Sequence, residues 1–310
     1  MSALRREYHI VDVFTDTPFA GNPLAVVIQA EGLSTERMQA VAREFNLSET
    51  VFVFEPRDPV NSARIRIFTP KGELPFAGHP TVGAAALVAK SRAADVLGRE
   101  EVLVALEEGV GTVLCTARGP KGQPLRASFE LPRVPEFVRA LENRDAIAAA
   151  LSLEPGDIGF ERHAPAVWTA GAAFAFVPVA TREAIARARP RADLFDAAWG
   201  GDVPGGDVLG AWLYTEECER AGSDVHARMF APARGIAEDP ATGSAAAAFA
   251  GVAVACERPD DGAHTIVIEQ GFEMGRPSIM LLGVDVVGGR LVSASVGGAV
   301  AFVAKGEIEA

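Results

Sequence analysis

Apolar and polar positions alternate in short runs along most of the chain, the period of strands rather than helices. The first run, 8–14, is followed by a stretch at 15–23 rich in Pro, Gly and Asp, and then by a second run, 24–28. Together these predict a hairpin-like pair. Ser34 then precedes Met38, Val41, Ala42 and Phe45, a spacing that predicts an amphipathic helix N-capped by Ser34 and ending near Asn46. A strand at 50–54 follows at once. Further strands are predicted at 63–68, 101–106, 111–116, 126–131, 173–179, 208–214, 225–230, 265–269 and 278–282, so strands outnumber helices. The polar stretch 118–123 reads as a domain linker or a hairpin tip. The Gly-rich stretch 200–207 has no helix pattern behind it and reads as a connection rather than a phosphate cradle.

Compared with itself, the chain shows an internal repeat. Arg66-Ile67-Phe68-Thr69-Pro70 matches Arg228-Met229-Phe230-Ala231-Pro232, and after a two-residue length difference residues 79–86 align with residues 239–246. In the first copy, residues 81–89 are apolar on every face; in the second, no charge occurs between Pro240 and Cys256. A helix that is apolar all round must be buried all round. With strands on either side in sequence, each such helix belongs inside a curved sheet, and its Ala and Gly residues let strand side chains approach closely. The prediction is an α+β protein of two similar domains. Residues 1–120 form one around a central helix at 79–90, and residues 121–310 the other around a central helix at 240–256, leaving open whether the last strand returns to the first domain.

Charge and composition narrow the function. The chain has 310 residues, 49% apolar and 23% charged, which is the range of folded globular proteins. A net charge of −12 and the lack of a Lys/Arg cluster argue against nucleic acid as a partner. The longest uncharged apolar run, 241–256, is too short to span a bilayer, so no membrane association is expected. The first residues lack the apolar stretch of a secretory signal, which makes the cytoplasm the expected location. Cys115, Cys218 and Cys256 are odd in number and far apart, without a Cys-x-x-Cys pair. No disulfide and no structural zinc are expected, and each thiol reads as a buried, inert apolar group.

The chemistry is then sought at the starts of the two central helices. A proline near each start is pre-organised for the first turn, where unpaired backbone N–H groups and the positive end of the helix dipole attract anions. One end carries Gly78 and His79; the other carries Asp239, Thr242, Gly243 and Ser244. A two-fold arrangement would bring them to one cleft between the domains. Taken alone, His79 and Asp239 also read as simple N-caps. Glu49 lies between the first helix and a strand apolar in nearly every position, where burial would raise its pKa toward proton-transfer chemistry. From spacing alone the favoured reading is a solvated residue at an element boundary. There is no Gly-x-Gly-x-x-Gly after a strand, no Walker loop, no His-Glu-x-x-His and no Gly-x-Ser-x-Gly elbow. His9, His163, His226 and His264 are scattered singly and read as core or surface residues, as Trp168, Trp199 and Trp212 read as packing residues.

Residues 12–23, Phe76-Ala77-Gly78-His79-Pro80-Thr81-Val82-Gly83 and Glu238-Asp239-Pro240-Ala241-Thr242-Gly243-Ser244-Ala245, with Ser48-Glu49-Thr50 and the pair Gln270-Gly271, resemble the PhzF-like family of phenazine biosynthesis over about residues 8–305. The resemblance implies a diaminopimelate-epimerase-like fold, a homodimer, and an isomerase that works without metal or organic cofactor on a small carboxylate substrate. It places the family's acid/base glutamate on Glu49, with His79, Asp239 and Ser244 assisting. Related epimerases use two cysteines at the starts of the central helices. Neither start here carries a thiol, so a two-thiol racemisation is disfavoured.

Overall fold

The computed structural model describes residues 5–199 and 207–309, so all of the expected connection at 200–207 except Asp207 lies outside the described residues. Two compact units divide the chain: Met1–Glu130 with Gly297–Ala310, and Leu131–Val296.

In the first unit, strand Arg5–Val13 pairs antiparallel with Asn22–Val27 on one side and with the end of the long strand Arg290–Glu309 on the other. Helix Thr35–Phe45 begins and ends as its sequence predicts. The Ser34 hydroxyl accepts from the Arg37 N–H, and Asn46 closes the helix in the left-handed conformation, φ 51°. It carries the chain over to Glu49–Phe54, which lies parallel to Asn22–Val27. Ala63–Phe68, Val102–Glu108, Gly111–Arg118 and Arg126–Glu130 extend the sheet. The stretch 118–123 is therefore part of a hairpin connection.

The strands of this unit surround the helix Gly78–Arg92, of which Gly78 to Ala89 are buried without a break. The sheet thus wraps around an apolar helix, as all-round hydrophobicity requires. Contact is close enough that a Cβ on Gly83 would lie 2.5 Å from Leu24 Cδ2 and 3.0 Å from Val13 Cγ2. We expect Gly83→Leu to lower stability by about 3 kcal/mol, read from urea unfolding. Gly72→Ala, with nothing within 4 Å of the added carbon, should leave stability within about 0.5 kcal/mol.

The second unit repeats the plan. Strands Glu136–Ala140, Ala166–Thr169, Ala173–Pro178, Ala211–Thr215, Val225–Ala231, Ile236–Asp239, Gly262–Gln270 and Ser278–Val287 accompany the buried helix Gly243–Glu257. The two repeat blocks share a local build. In each, a strand turns into a short antiparallel strand, Glu73–Leu74 in one and Ile236–Asp239 in the other, and then into the central helix. The matched arginines do the same work: Arg66 grips Glu73 at 2.7 and 2.6 Å, and Arg228 grips Glu238 at 2.8 Å twice.

Several elements depart from the expectation. The second central helix starts at Gly243 rather than 240, because Asp239 is paired in a strand with Met229 and the residue before a proline is held extended. Three short helices, Arg144–Leu151, Arg182–Arg187 and Ala192–Trp199, bury Ile147, Leu151, Ile185, Phe195 and Trp199 in a core separate from the central helix. Cys115 is buried as expected, but Cys218 and Cys256 are only half-buried and sit near carboxylates. Burial, and then Glu269, Asp224 and Glu216, push the Cys218 thiol up to about 12, so it stays protonated, with the carboxylates adding to the effect of burial. Among the described residues, no helix is long and apolar enough to cross a membrane.

Candidate active site

Glu49 opens its strand opposite Leu24, and its side chain is only 12% exposed. His79 stands in the first turn of the first central helix. Its Nε2 lies 3.3 Å from Glu49 Oε2 and has no hydrogen-bonded partner among the described residues. Burial holds the imidazole pKa down to about 3, so His79 is neutral at ordinary pH and Glu49 faces a dipole rather than a full positive charge. The reading of His79 as an N-cap is excluded: Ala77 occupies the cap, with no side-chain hydrogen bond. Ala77 offers the first N–H groups of the helix no side-chain cap, a setting that favours an anionic ligand group.

The second unit builds the corresponding helix start. Thr242 is the cap and makes no capping side-chain bond, so Asp239 is not the N-cap either. The Asp239 carboxylate instead accepts the Thr242 hydroxyl at 2.6 Å. Gly243 and Ser244 supply the first-turn backbone, Gly243 buried and Ser244 half-buried.

Two supporting residues escaped the reading of motifs. Gln270, fully buried, donates to the Asp239 carbonyl at 2.7 Å and to Thr242 Oγ1 at 3.1 Å, while its own oxygen accepts from Trp212 Nε1 at 3.0 Å and from the Thr242 N–H at 3.3 Å. It fixes the approach to the second helix, and only its place beside Gly271 in the resemblance drew attention to it. Glu108 has its carboxyl buried, with a pKa raised to about 8 by desolvation and partly restored by Thr81. The Thr81 hydroxyl lies 2.8 Å from the Ala77 carbonyl and 2.9 Å from Glu108 Oε1, and its one proton is shared between these two acceptors. Adjacent Glu residues after a strand give no hint of this in sequence.

Charge also anchors the surroundings of the second helix start. Arg228, 3% exposed, bonds Glu238 and the carbonyls of Ile185, Ala186 and Ala188. His226 lies between Glu269 at 2.7 Å and Glu273 at 2.9 Å. Burial alone would lower its pKa; the hydrogen bonds to Glu269 and Glu273 outweigh burial and raise it to about 9. A raised folded value means that the stabilisation is fully present below the ordinary 6.5 and is lost as pH climbs through 9. At about 1.4 kcal/mol per pH unit, the loss amounts to about 3 kcal/mol. Urea unfolding at pH 7 and pH 10 should show it, and His226→Gln should remove most of the difference.

One group among the described residues has metal-ligand spacing: His163, Glu216 and Glu257. The His163 Nε2 already engages Glu257 at 2.5 Å, and Nδ1 meets Tyr214 at 2.9 Å. Glu257 ends the second central helix, about 20 Å from Gly243 at 1.5 Å per residue, so this group stands apart from Asp239.

A sheet wrapped around a central apolar helix, built twice in one chain, is the diaminopimelate-epimerase-like fold. Comparison with known proteins agrees. The family model described as phenazine biosynthesis-like protein matches residues 11–306, and the chain belongs to that PhzF family. It is 45% identical to an uncharacterized isomerase of Mesorhizobium japonicum, over 98% of both chains. It is 36% identical to the trans-2,3-dihydro-3-hydroxyanthranilate isomerase of Pseudomonas aeruginosa, over 96% of this chain and 98% of that one. In fold it is similar to a PhzF-family protein of Bacillus anthracis, with a TM-score of 0.84 at 23% identity, over 98% and 99% of the two chains.

Proposed function

We propose that this isomerase moves a proton within a small carboxylate-bearing ring metabolite of the dihydro-hydroxyanthranilate kind, by acid/base catalysis at Glu49 and His79. The observation that carries the reading is the pairing of Glu49 with a neutral His79 whose buried Nε2 has no hydrogen bond. Glu49 removes the proton from one ring carbon and returns it at another, so one carboxylate serves both steps. His79 handles a proton on a substrate heteroatom, as Asp239 does with Thr242. The uncapped N–H groups at Gly78 and His79, and at Gly243 and Ser244, receive the substrate carboxylate. The chemistry calls on no metal or organic cofactor. A homodimer in the cytoplasm completes the proposal, supported by the likeness to the family.

The test is incubation of the purified protein with trans-2,3-dihydro-3-hydroxyanthranilate, followed by NMR. A product of new ring connectivity supports the proposal. Unchanged connectivity with inverted configuration would make the protein an epimerase instead, and thermal stabilisation without product would make it a binding protein.

A further inference from the structure

The turn between strands Arg5–Val13 and Asn22–Val27 contains two phenylalanines in the left-handed region, Phe14 at φ 66° and Phe19 at φ 71°. That conformation is costly for a bulky residue. Phe14 offsets the cost by complete burial, whereas Phe19 leaves 74% of its surface exposed. The surrounding turn nonetheless enforces the strained state. Asp12, 2% exposed, accepts the Phe19 N–H at 2.7 Å; Thr15 Oγ1 accepts the Thr17 N–H at 3.1 Å; and the Thr15 N–H is tied to the Ala299 carbonyl at 3.0 Å. Gly21, φ 66°, follows so closely that a Cβ there would lie 2.4 Å from the Val13 carbonyl oxygen. An aromatic ring is therefore held outward on a rigid support.

Its place is equally defined. The turn enters its strand at Asn22, two residues or about 7 Å before Leu24, the partner of Glu49. Because the two strands run parallel, the turn stands at the end of the strands from which Glu49 begins. Gly83, one helical turn beyond His79, packs on Val13 and Leu24, the residues that flank the turn. Strain of this kind persists where the surrounding structure over-determines it, characteristically at sites that grip a ligand.

We propose that Phe19 is a specificity-determining residue, whose ring covers one face of an unsaturated substrate ring beside Glu49 and favours planar cyclic carboxylates over saturated ones. The inference rests on the proposed function for its substrate class. Equilibrium binding tests it independently of turnover, with anthranilate as the planar probe and cyclohexanecarboxylate as the saturated one. Titration calorimetry would be run on the wild type, Phe19→Ala and Phe19→Tyr, with light scattering to follow assembly. The wild type should prefer anthranilate. Phe19→Ala should weaken anthranilate about fivefold to tenfold with little effect on cyclohexanecarboxylate, and Phe19→Tyr, which keeps the ring, should bind like the wild type. The proposal is overturned if Phe19→Ala binds both probes as the wild type does, if the wild type binds neither, or if the substitution changes only the assembly state. A wild type that shows the preference but does not convert dihydro-hydroxyanthranilate would uphold the role of Phe19 and overturn the proposed function.

Discussion

Glu49→Gln should lower kcat for isomerisation by at least about a thousandfold while leaving the protein folded. The substitution keeps the shape of the side chain at the start of its strand and removes its ability to take and return a proton. Acid/base groups ordinarily contribute about a hundredfold to ten-thousandfold, and a group that serves both proton transfers belongs toward the upper end. His79 is no substitute: with its pKa held near 3 by burial, the imidazole is a weak base that already stands neutral. Steady-state kinetics supply kcat, and thermal unfolding checks the fold. An unfolding midpoint close to that of the wild type with activity lost assigns the effect to chemistry rather than to packing.

Arg228→Leu should be the most destabilising of the charge substitutions, at about 3 to 5 kcal/mol. Removing the guanidinium leaves Glu238, only 16% exposed, without its two-pronged partner, and takes the donor from three backbone carbonyls at the end of helix Arg182–Arg187. A buried charge that loses its partner is costlier than a pair that never formed. The repeat supplies an internal control. Arg66 makes the same grip on Glu73, but with 24% and 39% of the two side chains exposed, so Arg66→Leu should cost about 1 kcal/mol. Urea unfolding of both variants measures the contrast, and equal losses would show that burial does not set the value of this motif.

What could be read beforehand was whatever rested on local periodicity or on the repeat. Ser34 and Asn46 bracket their helix because capping is local chemistry, and the two apolar helices announce their burial by lacking a polar face. The matched Arg66 and Arg228 blocks disclosed the duplication because the same local build needs the same residues twice. The last strand, Arg290–Glu309, could be given no bounds because its middle is rich in Gly, Ala and Ser, small residues with little strand signature; its order comes from partners distant in sequence, such as Arg5–Val13. The three short helices of the second unit were hidden for a similar reason, since each is Ala-rich and takes its place by burying apolar side chains in a core shared with Val167, Val177 and Leu213 rather than by propensity. Of the candidate site, His79 and Glu49 could be named from motifs, but neither their 3.3 Å contact nor the neutrality of His79 follows from sequence, because both depend on which strands surround the helix start. Glu108, and the role of Gln270, which only the resemblance had named, were out of reach for the same reason: a buried amide or acid is recognised by its partners, which only the fold supplies.

The claim that one carboxylate moves the proton is tested most directly by converting trans-2,3-dihydro-3-hydroxyanthranilate in deuterated water with the wild type and with Glu49→Gln, following product connectivity and deuterium content by NMR. The account predicts isomerised product from the wild type, with deuterium at the newly protonated ring carbon to the extent that Glu49 exchanges with solvent, and no product from Glu49→Gln. Isomerisation that continues in the Gln variant at a rate near that of the wild type would contradict it.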